Sequence, residues 1–282
     1  LYYKDLQNGD KFIPLVDKFE ATYTAVGNVG SDLFISTDKN APNYSIEKWN
    51  LNDLSDKKTL IPNKNEVIDG TSLIDGKLIV TYMKDAQNIT EVYSLEGKKL
   101  HDVPLPGIGS VSGFGGKQED KEVFFSFTSF TVPSSIWLYK VAENKVELFR
   151  ESKLKFDASQ FESKQIFYKS KDGTEVPMFI VHKKGLKLDG KAPTMLYAYG
   201  GFNASMTPGF RVSIIPLLES GGVYAMACLR GGGEYGKTWH EAGMLEKKQN
   251  VFDDYIAGAE YLIKSGYTSP ERLALNGGSN GG

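Results

Sequence analysis

The sequence has little cysteine and little histidine. Its 282 residues include one cysteine, Cys228, and three histidines. A lone cysteine cannot close an internal disulfide, and this one sits in the apolar run 223–229, which predicts a small buried side chain. Because disulfides are typical of oxidising compartments, the shortage of cysteine suits a reducing one, and we expect a cytoplasmic location.

The sequence also lacks an excess of charge and a long apolar run. Its formal net charge is −2, so we expect no basic surface that would attract nucleic acid or an anionic membrane. No stretch approaches the ~20 apolar residues that a membrane-spanning helix needs. With 40% hydrophobic residues, the composition is that of a globular protein with one or two cores.

The first half of the chain repeats. Strand-like runs at 32–37, 77–82 and 122–127 follow one another at intervals of 45 residues, and a second set at 46–51, 91–96 and 136–141 keeps that interval. Turn pairs such as Asp75-Gly76 and Glu96-Gly97 separate the runs. A period of about 45 residues with several strands per repeat is typical of β-propeller blades. We predict three complete blades and part of a fourth, to which residues 1–6 belong; a β-sandwich with fortuitous spacing is the alternative.

The 45-residue interval ends near residue 150. Residues 164–184 have the pattern of a β-hairpin, with Asp172-Gly173 at its turn. Two apolar strands are predicted at 194–199 and 221–229, an amphipathic helix at 250–264, and a short strand at 272–276. Alternating strands and helices predict a mainly parallel sheet covered by helices.

The last predicted strand leads into Gly277-Gly-Ser-Asn-Gly281, which fits the G-x-S-x-G nucleophile elbow of α/β-hydrolases. Such a turn lifts the serine hydroxyl above the sheet in a strained conformation, and glycines two residues either side avoid collisions. Ser279 is therefore the candidate nucleophile, and the backbone N–H of Asn280 is a candidate oxyanion donor. The alternative is a flexible glycine-rich loop beside a sheet.

A serine nucleophile needs a histidine as its general base. The three histidines are His101, His182 and His240, and all precede Ser279. In hydrolases of this fold the chain order is Ser, then Asp or Glu, then His. We therefore expect the three to be structural or exposed, and the triad Asp and His to lie beyond Gly282.

A second glycine-rich loop, 231–236, satisfies the dinucleotide-binding pattern G-x-G-x-x-G, with Asp253 and Asp254 about 20 residues further on. The residues that follow show no apolar helical stripe, so we reject this function. We expect the two aspartates to be solvated or paired with basic residues. We expect no cofactor and no metal ion.

Four segments together resemble the prolyl oligopeptidase family of propeller-bearing serine peptidases. They are 177–185 (PMFIVHKKG), 197–203 (YAYGGFN), 229–236 (LRGGGEYG) and 277–282 (GGSNGG). The resemblance implies a mixed β and α/β fold, with a partial β-propeller at 1–152 and the N-terminal part of an α/β-hydrolase domain at 153–282, cut just after the elbow. It also implies cleavage of short proline-containing peptides on the carboxyl side of proline, by a protein that is a monomer when full length.

The resemblance further implies residue roles. Ser279 is the nucleophile, the Tyr199 hydroxyl and the Asn280 N–H form the oxyanion hole, and Phe202 lines the apolar pocket for the proline ring. Two alternatives stay open: an oligopeptidase B-like enzyme that cuts after basic residues, and a non-catalytic propeller that binds a partner. Without the triad Asp and His, the segment alone is expected to be inactive.

Overall fold

The computed structural model describes residues 1–7 and 9–282. Its first half contains three four-stranded antiparallel sheets in which the strands follow in chain order, as in propeller blades. The first blade comprises β3 (Tyr23–Val29), β4 (Asp32–Thr37), β5 (Ser45–Asn50) and β6 (Asp53–Ile61). The second comprises β7 (Val67–Ile74), β8 (Lys77–Lys84), β9 (Gln87–Ser94) and β10 (Lys99–Asp102). The third comprises β11 (Ser110–Gly115), β12 (Glu122–Thr128), β13 (Ser135–Lys140) and β14 (Lys145–Arg150).

The repeat predicted from the sequence corresponds to the second and third strands of each blade. One strand is displaced: β9 begins at Gln87, four residues before the predicted start. The reason is a two-residue hairpin at Asp85-Ala86, with Lys84 paired to Gln87. Both turn residues have positive φ, 51° and 62°, although neither is glycine, so the sequence gives little indication of the turn.

The start of the chain forms less structure than predicted. Within 1–6 only β1 (Tyr2–Tyr3) is a strand, and it pairs antiparallel with β2 (Ile13–Pro14). Shifted by the repeat of 45 residues, β1 and β2 correspond to β5 and β6, the third and fourth strands of the first blade.

Apolar side chains join neighbouring blades. Phe34 and Ile46 of the first blade share a buried cluster with Leu78 and Tyr82 of the second. Ile79 of the second blade is buried in another cluster with residues of the third. The middle sheet therefore buries one face against the first sheet and the other against the third, as a propeller blade does. In a two-sheet sandwich each sheet has only one buried face, so the alternative of a β-sandwich is wrong.

The second half forms one five-stranded sheet with helices. Its strands are β15 (Phe161–Lys169), β16 (Glu175–Lys183), β17 (Thr194–Tyr197), β18 (Val223–Ala227) and β19 (Leu273–Asn276), in the spatial order β15-β16-β18-β17-β19. The helices are α1 (Ile215–Glu219), α2 (Lys237–Glu241) and α3 (Gln249–Lys264). None of the helices in the described part of the chain is both long and apolar enough to cross a membrane.

The sheet is mixed, whereas the sequence predicts a mainly parallel one. The β17–β18 and β17–β19 pairs are parallel, whereas β15–β16 and β16–β18 are antiparallel. The tight turn at Asp172-Gly173 forces the first antiparallel pair, because only antiparallel neighbours can be joined by so short a connection. The parallel strands place their carboxyl ends together, next to the predicted elbow.

The two halves are in contact. Phe130, from the loop after β12, packs against Phe179 and Tyr224 at ring-centroid distances of 5.3 and 6.2 Å. Two hydrogen bonds also join the halves: the Tyr235 hydroxyl donates to Asp85 Oδ1 at 3.0 Å, and the Ser110 hydroxyl donates to Pro208 O at 2.6 Å. The last blade strand ends at Arg150 and the new sheet begins at Phe161; the boundary at 152/153 stays a prediction.

Candidate active site

Ser279 lies on a strained turn directly after β19. The chain leaves Asn276 through Gly277 and Gly278 and enters a single 3₁₀ turn, Ser279–Gly281. Ser279 has φ 53°, a left-handed conformation that is rare for a residue with a side chain. Its side chain is exposed. This is the strained, outward-facing serine that the motif predicts.

The flanking glycines are required sterically. A Cβ atom on Gly277 would lie 1.8 Å from the Gly281 carbonyl oxygen. A Cβ atom on Gly281 would lie 2.7 Å from the Ala198 carbonyl oxygen. Both obstacles are backbone atoms, which cannot move aside as the end of a side chain could, so any larger residue at either position would open the turn.

The Asn280 side chain ties the elbow to the end of β17. Its Nδ2 donates to Tyr199 O at 2.9 Å and to Gly200 O at 3.1 Å. Gly201 makes room for it, because a Cβ there would lie 2.4 Å from Asn280 Nδ2. The structure therefore brings together Tyr199 and Asn280, the two residues that the family resemblance implies for an oxyanion hole.

Helix α3 supports the same two strand ends. The Tyr255 hydroxyl donates to Leu196 O at 2.8 Å and accepts a hydrogen bond from the Asn276 N–H at 3.2 Å. Val251 packs against Gly200, where an added Cβ would lie 2.4 Å from Val251 Cγ1. One face of the helix thus holds β17 and β19 in register beneath the elbow.

Lys248, just before α3, is a residue that the sequence analysis missed. Its Nζ donates to Gly200 O at 2.9 Å and to Asn280 Oδ1 at 3.1 Å. Partial burial lowers the pKa of its ammonium group. A lysine before a helix is ordinarily a solvated residue, so nothing in the sequence distinguished it.

Phe202 lies beside this network and is largely exposed. Its side chain is 78% exposed, and both Phe202 and Asn203 have positive φ, 53° and 56°. The ring borders a cavity of about 440 Å³ that Met244, Leu245 and Asn280 also line. An apolar ring at the mouth of a cavity next to the elbow is compatible with the pocket expected for a proline ring.

The histidines do not contact Ser279. His182 is buried in β16 with Nδ1 2.9 Å from Lys183 O, and His240 Nδ1 lies 2.7 Å from Gly231 O. His101 is in β10. Over residues 1–7 and 9–282, no hydrogen bond joins a histidine to Ser279, and the contacts of His182 and His240 are with backbone carbonyls.

The second glycine-rich loop is part of the scaffold. Arg230 and Asp254 are 4% and 0% exposed, and Arg230 Nη2 donates to Asp254 Oδ1 at 2.6 Å. Asp254 also accepts the Arg230 backbone N–H at 3.0 Å. A carboxylate enclosed in this way cannot hold a ribose, which supports the rejection of a dinucleotide site and the prediction of a salt-bridge partner.

Cys228 and Glu234 occupy the buried region behind the loop. Cys228 is fully buried, as predicted, and burial raises the pKa of its thiol. Glu234 is 1% exposed; its Oε1 accepts the Met206 N–H at 2.7 Å, while Oε2 has no partner within the described residues. Burial raises the pKa of Glu234 to about 7.

Comparison with known proteins gives the family. A model of the prolyl oligopeptidase N-terminal β-propeller domain matches residues 1–152, and a model of the prolyl oligopeptidase family matches residues 208–282. The chain belongs to the prolyl oligopeptidase family. This confirms the resemblance stated from the motifs, and the fold of propeller blades followed by the start of an α/β-hydrolase domain.

Curated relatives of this family match along the whole chain. It is 45% identical to the prolyl endopeptidase of Elizabethkingia miricola, with 100% of the chain and 40% of the relative covered. It is 40% identical to the prolyl endopeptidase of Dictyostelium discoideum, with 95% and 37% covered. The chain thus spans about 40% of the length of these relatives.

Solved structures agree. One, from a structural analysis of two prolyl endopeptidases, superimposes with a TM-score of 0.92 at 43% identity, covering 99% of this chain and 42% of that one. Prolyl oligopeptidase B from Galerina marginata, bound to a 25mer macrocyclization substrate, gives a TM-score of 0.90 at 33% identity, covering 96% and 38%.

Proposed function

We propose that this chain is part of a serine endopeptidase that hydrolyses short peptides on the carboxyl side of proline. The proposal rests on the strained conformation of Ser279, which has φ 53°. It lies between Gly277 and Gly281, where an added Cβ atom would collide with a backbone carbonyl oxygen. Such strain persists only where the surroundings enforce it, and it is typical of functional sites. Relatives named prolyl endopeptidase, at up to 45% identity, support the class of reaction.

In the proposed mechanism, the Ser279 hydroxyl attacks the carbonyl carbon of the scissile bond, and a general base takes its proton. The tetrahedral oxyanion is stabilised by the Asn280 N–H and the Tyr199 hydroxyl. Removing one such donor typically costs about 2.7–4 kcal/mol of transition-state stabilisation. Phe202 would contact the proline ring. The proposal requires a triad Asp and His from outside residues 1–282, so these residues alone are expected to be inactive.

The test uses the full-length protein that carries this chain. Turnover is measured on three matched reporter peptides with Pro, Ala or Arg before the scissile bond. The proposal expects a strong preference for Pro and a loss of about 10⁶-fold in kcat for Ser279→Ala. Ser152→Ala, an exposed serine at the edge of the third blade, is the matched control and should leave turnover unchanged.

Each alternative has its own result in this assay. Preferred cleavage after Arg would assign the protein to the oligopeptidase B-like enzymes. Wild-type protein that cleaves no reporter would favour a propeller that only binds a partner. Cleavage that persists in Ser279→Ala would show that another residue is the nucleophile.

A further inference from the structure

The Lys248 ammonium group sits between the two segments that form the candidate oxyanion hole. One of its hydrogen bonds, of 2.9 Å, goes to the backbone carbonyl of Gly200, the residue after Tyr199. The other, of 3.1 Å, goes to the side-chain oxygen of Asn280, the residue after Ser279. A single side chain therefore holds both the turn after β17 and the nucleophile elbow.

The Asn280 side chain forms a second connection between the same two segments. Asn280 Nδ2 donates to Tyr199 O and Gly200 O, so the amide bonds one segment with its nitrogen while Lys248 fixes its oxygen. The two carbonyls and Lys248 thus impose the same orientation on the amide. Without the ammonium group, the Asn280 oxygen and Gly200 O would each lose a donor, and only the Nδ2 contacts would tie the elbow to the turn.

The lysine is held from the other side by the helix. Its Nζ lies 5.9 Å from the centre of the Phe252 ring, one turn further along the chain. No carboxylate within residues 1–7 and 9–282 forms an ion pair with it. Within the described residues, the hydrogen bonds of the ammonium group therefore go to two neutral oxygens, one on each segment.

We propose that Lys248 is a positioning residue, which fixes the Tyr199–Gly200 turn against the Ser279–Asn280 elbow so that both oxyanion donors are aligned before substrate binds. The catalytic part of this inference rests on the proposed function. Its structural part does not, because the contacts that Lys248 makes exist in the free protein.

Three variants of the full-length protein separate these parts: Lys248→Met, Lys248→Arg and Lys247→Met. Methionine keeps most of the length and volume of the side chain but removes the donors, whereas arginine keeps the charge and N–H donors. Lys247 is the exposed neighbour of Lys248, so Lys247→Met is the matched control. Hydrogen exchange of peptides covering 198–204 and 276–282 is measured in each variant, along with kcat and KM on the proline reporter.

Lys248→Met should speed amide exchange in both peptides and lower kcat by about 10–100-fold, with KM changed less than kcat. Lys248→Arg should keep amide exchange and kcat close to those of the wild-type protein, and Lys247→Met should change neither. Unchanged exchange in Lys248→Met would overturn the proposal, as would a change in KM alone or an arginine variant no better than methionine. If the wild-type protein cleaves no reporter, the proposed function fails, but the exchange result still decides whether Lys248 fixes the two segments.

Discussion

Loss of the buried carboxylate of Asp254 should destabilise the hydrolase part of the protein more than any other change of one carboxylate on α3. Asp254 is 0% exposed and receives the Arg230 N–H, Nε and Nη2 at 3.0, 3.0 and 2.6 Å. Removing one partner of a buried ion pair leaves the other charge buried and uncompensated, which typically costs about 3–5 kcal/mol.

The lower end of that range applies here. Arg230 keeps a second carboxylate, because its Nη1 donates to Asp172 Oδ2 at 2.5 Å, and Asp172 is half exposed. For Asp254→Asn we therefore expect a loss of about 3 kcal/mol in the free energy of unfolding. The free energy itself is the quantity to compare, because the Tm shift per kcal/mol falls as the unfolding unit grows, from about 4–8 °C for 60–100 residues to about 2–4 °C for 150–250.

The assay is urea unfolding of the full-length protein, with the free energy of each variant obtained by linear extrapolation to zero denaturant. Asp253→Asn is the matched control, because Asp253 is the adjacent residue and its carboxylate accepts only an exposed hydrogen bond from Gln249. An Asp254→Asn variant whose free energy of unfolding lies within about 1 kcal/mol of that of Asp253→Asn would refute the reasoning.

Two further predictions concern pH and the propeller. The pKa of Glu234 is raised from its ordinary 4.5 to about 7, so between these values the native state binds more protons than the unfolded state. The free energy of unfolding should therefore fall as the pH rises from 4.5 to 7, by at most about 1.4 kcal/mol per pH unit. In Glu234→Gln this fall should flatten in denaturant titrations at pH 5, 6 and 7.5, whereas an unchanged slope would contradict the assignment. In the second blade, Gly97 and Gly76 both have positive φ, but only at Gly97 would a Cβ meet backbone, 2.3 Å from Leu60 O. Gly76→Ala should lower the free energy of unfolding by about 1–2 kcal/mol, and Gly97→Ala should lower it clearly more, as measured by urea unfolding. Equal losses would show that the close contact between Gly97 and Leu60 does not restrict the residue at position 97.

The sequence predicted the blades because their signal is repeated. Strand residues such as Leu33, Leu78 and Val123 recur at one interval, and all three are buried. Where the prediction depended on a single local signal, it was less accurate. The sequence predicts too late a start for β9, because the Asp85-Ala86 turn uses positive φ without glycine. It also predicts too parallel a sheet, because strand direction depends on tertiary pairing.

The same difference explains which parts of the candidate site were found. Ser279 and the flanking glycines are visible in the sequence because steric demands act within five consecutive residues. Tyr199 and Phe202 were assigned only through the family resemblance, and Lys248 was not assigned at all. Its partners, Gly200 and Asn280, lie 48 and 32 residues away along the chain, and a hydrogen bond to a backbone carbonyl imposes no residue type on its acceptor. A positioning residue of this kind leaves no pattern in one sequence, so only the three-dimensional arrangement, followed by the exchange and kinetic comparison of Lys248→Met with Lys248→Arg, can reveal it.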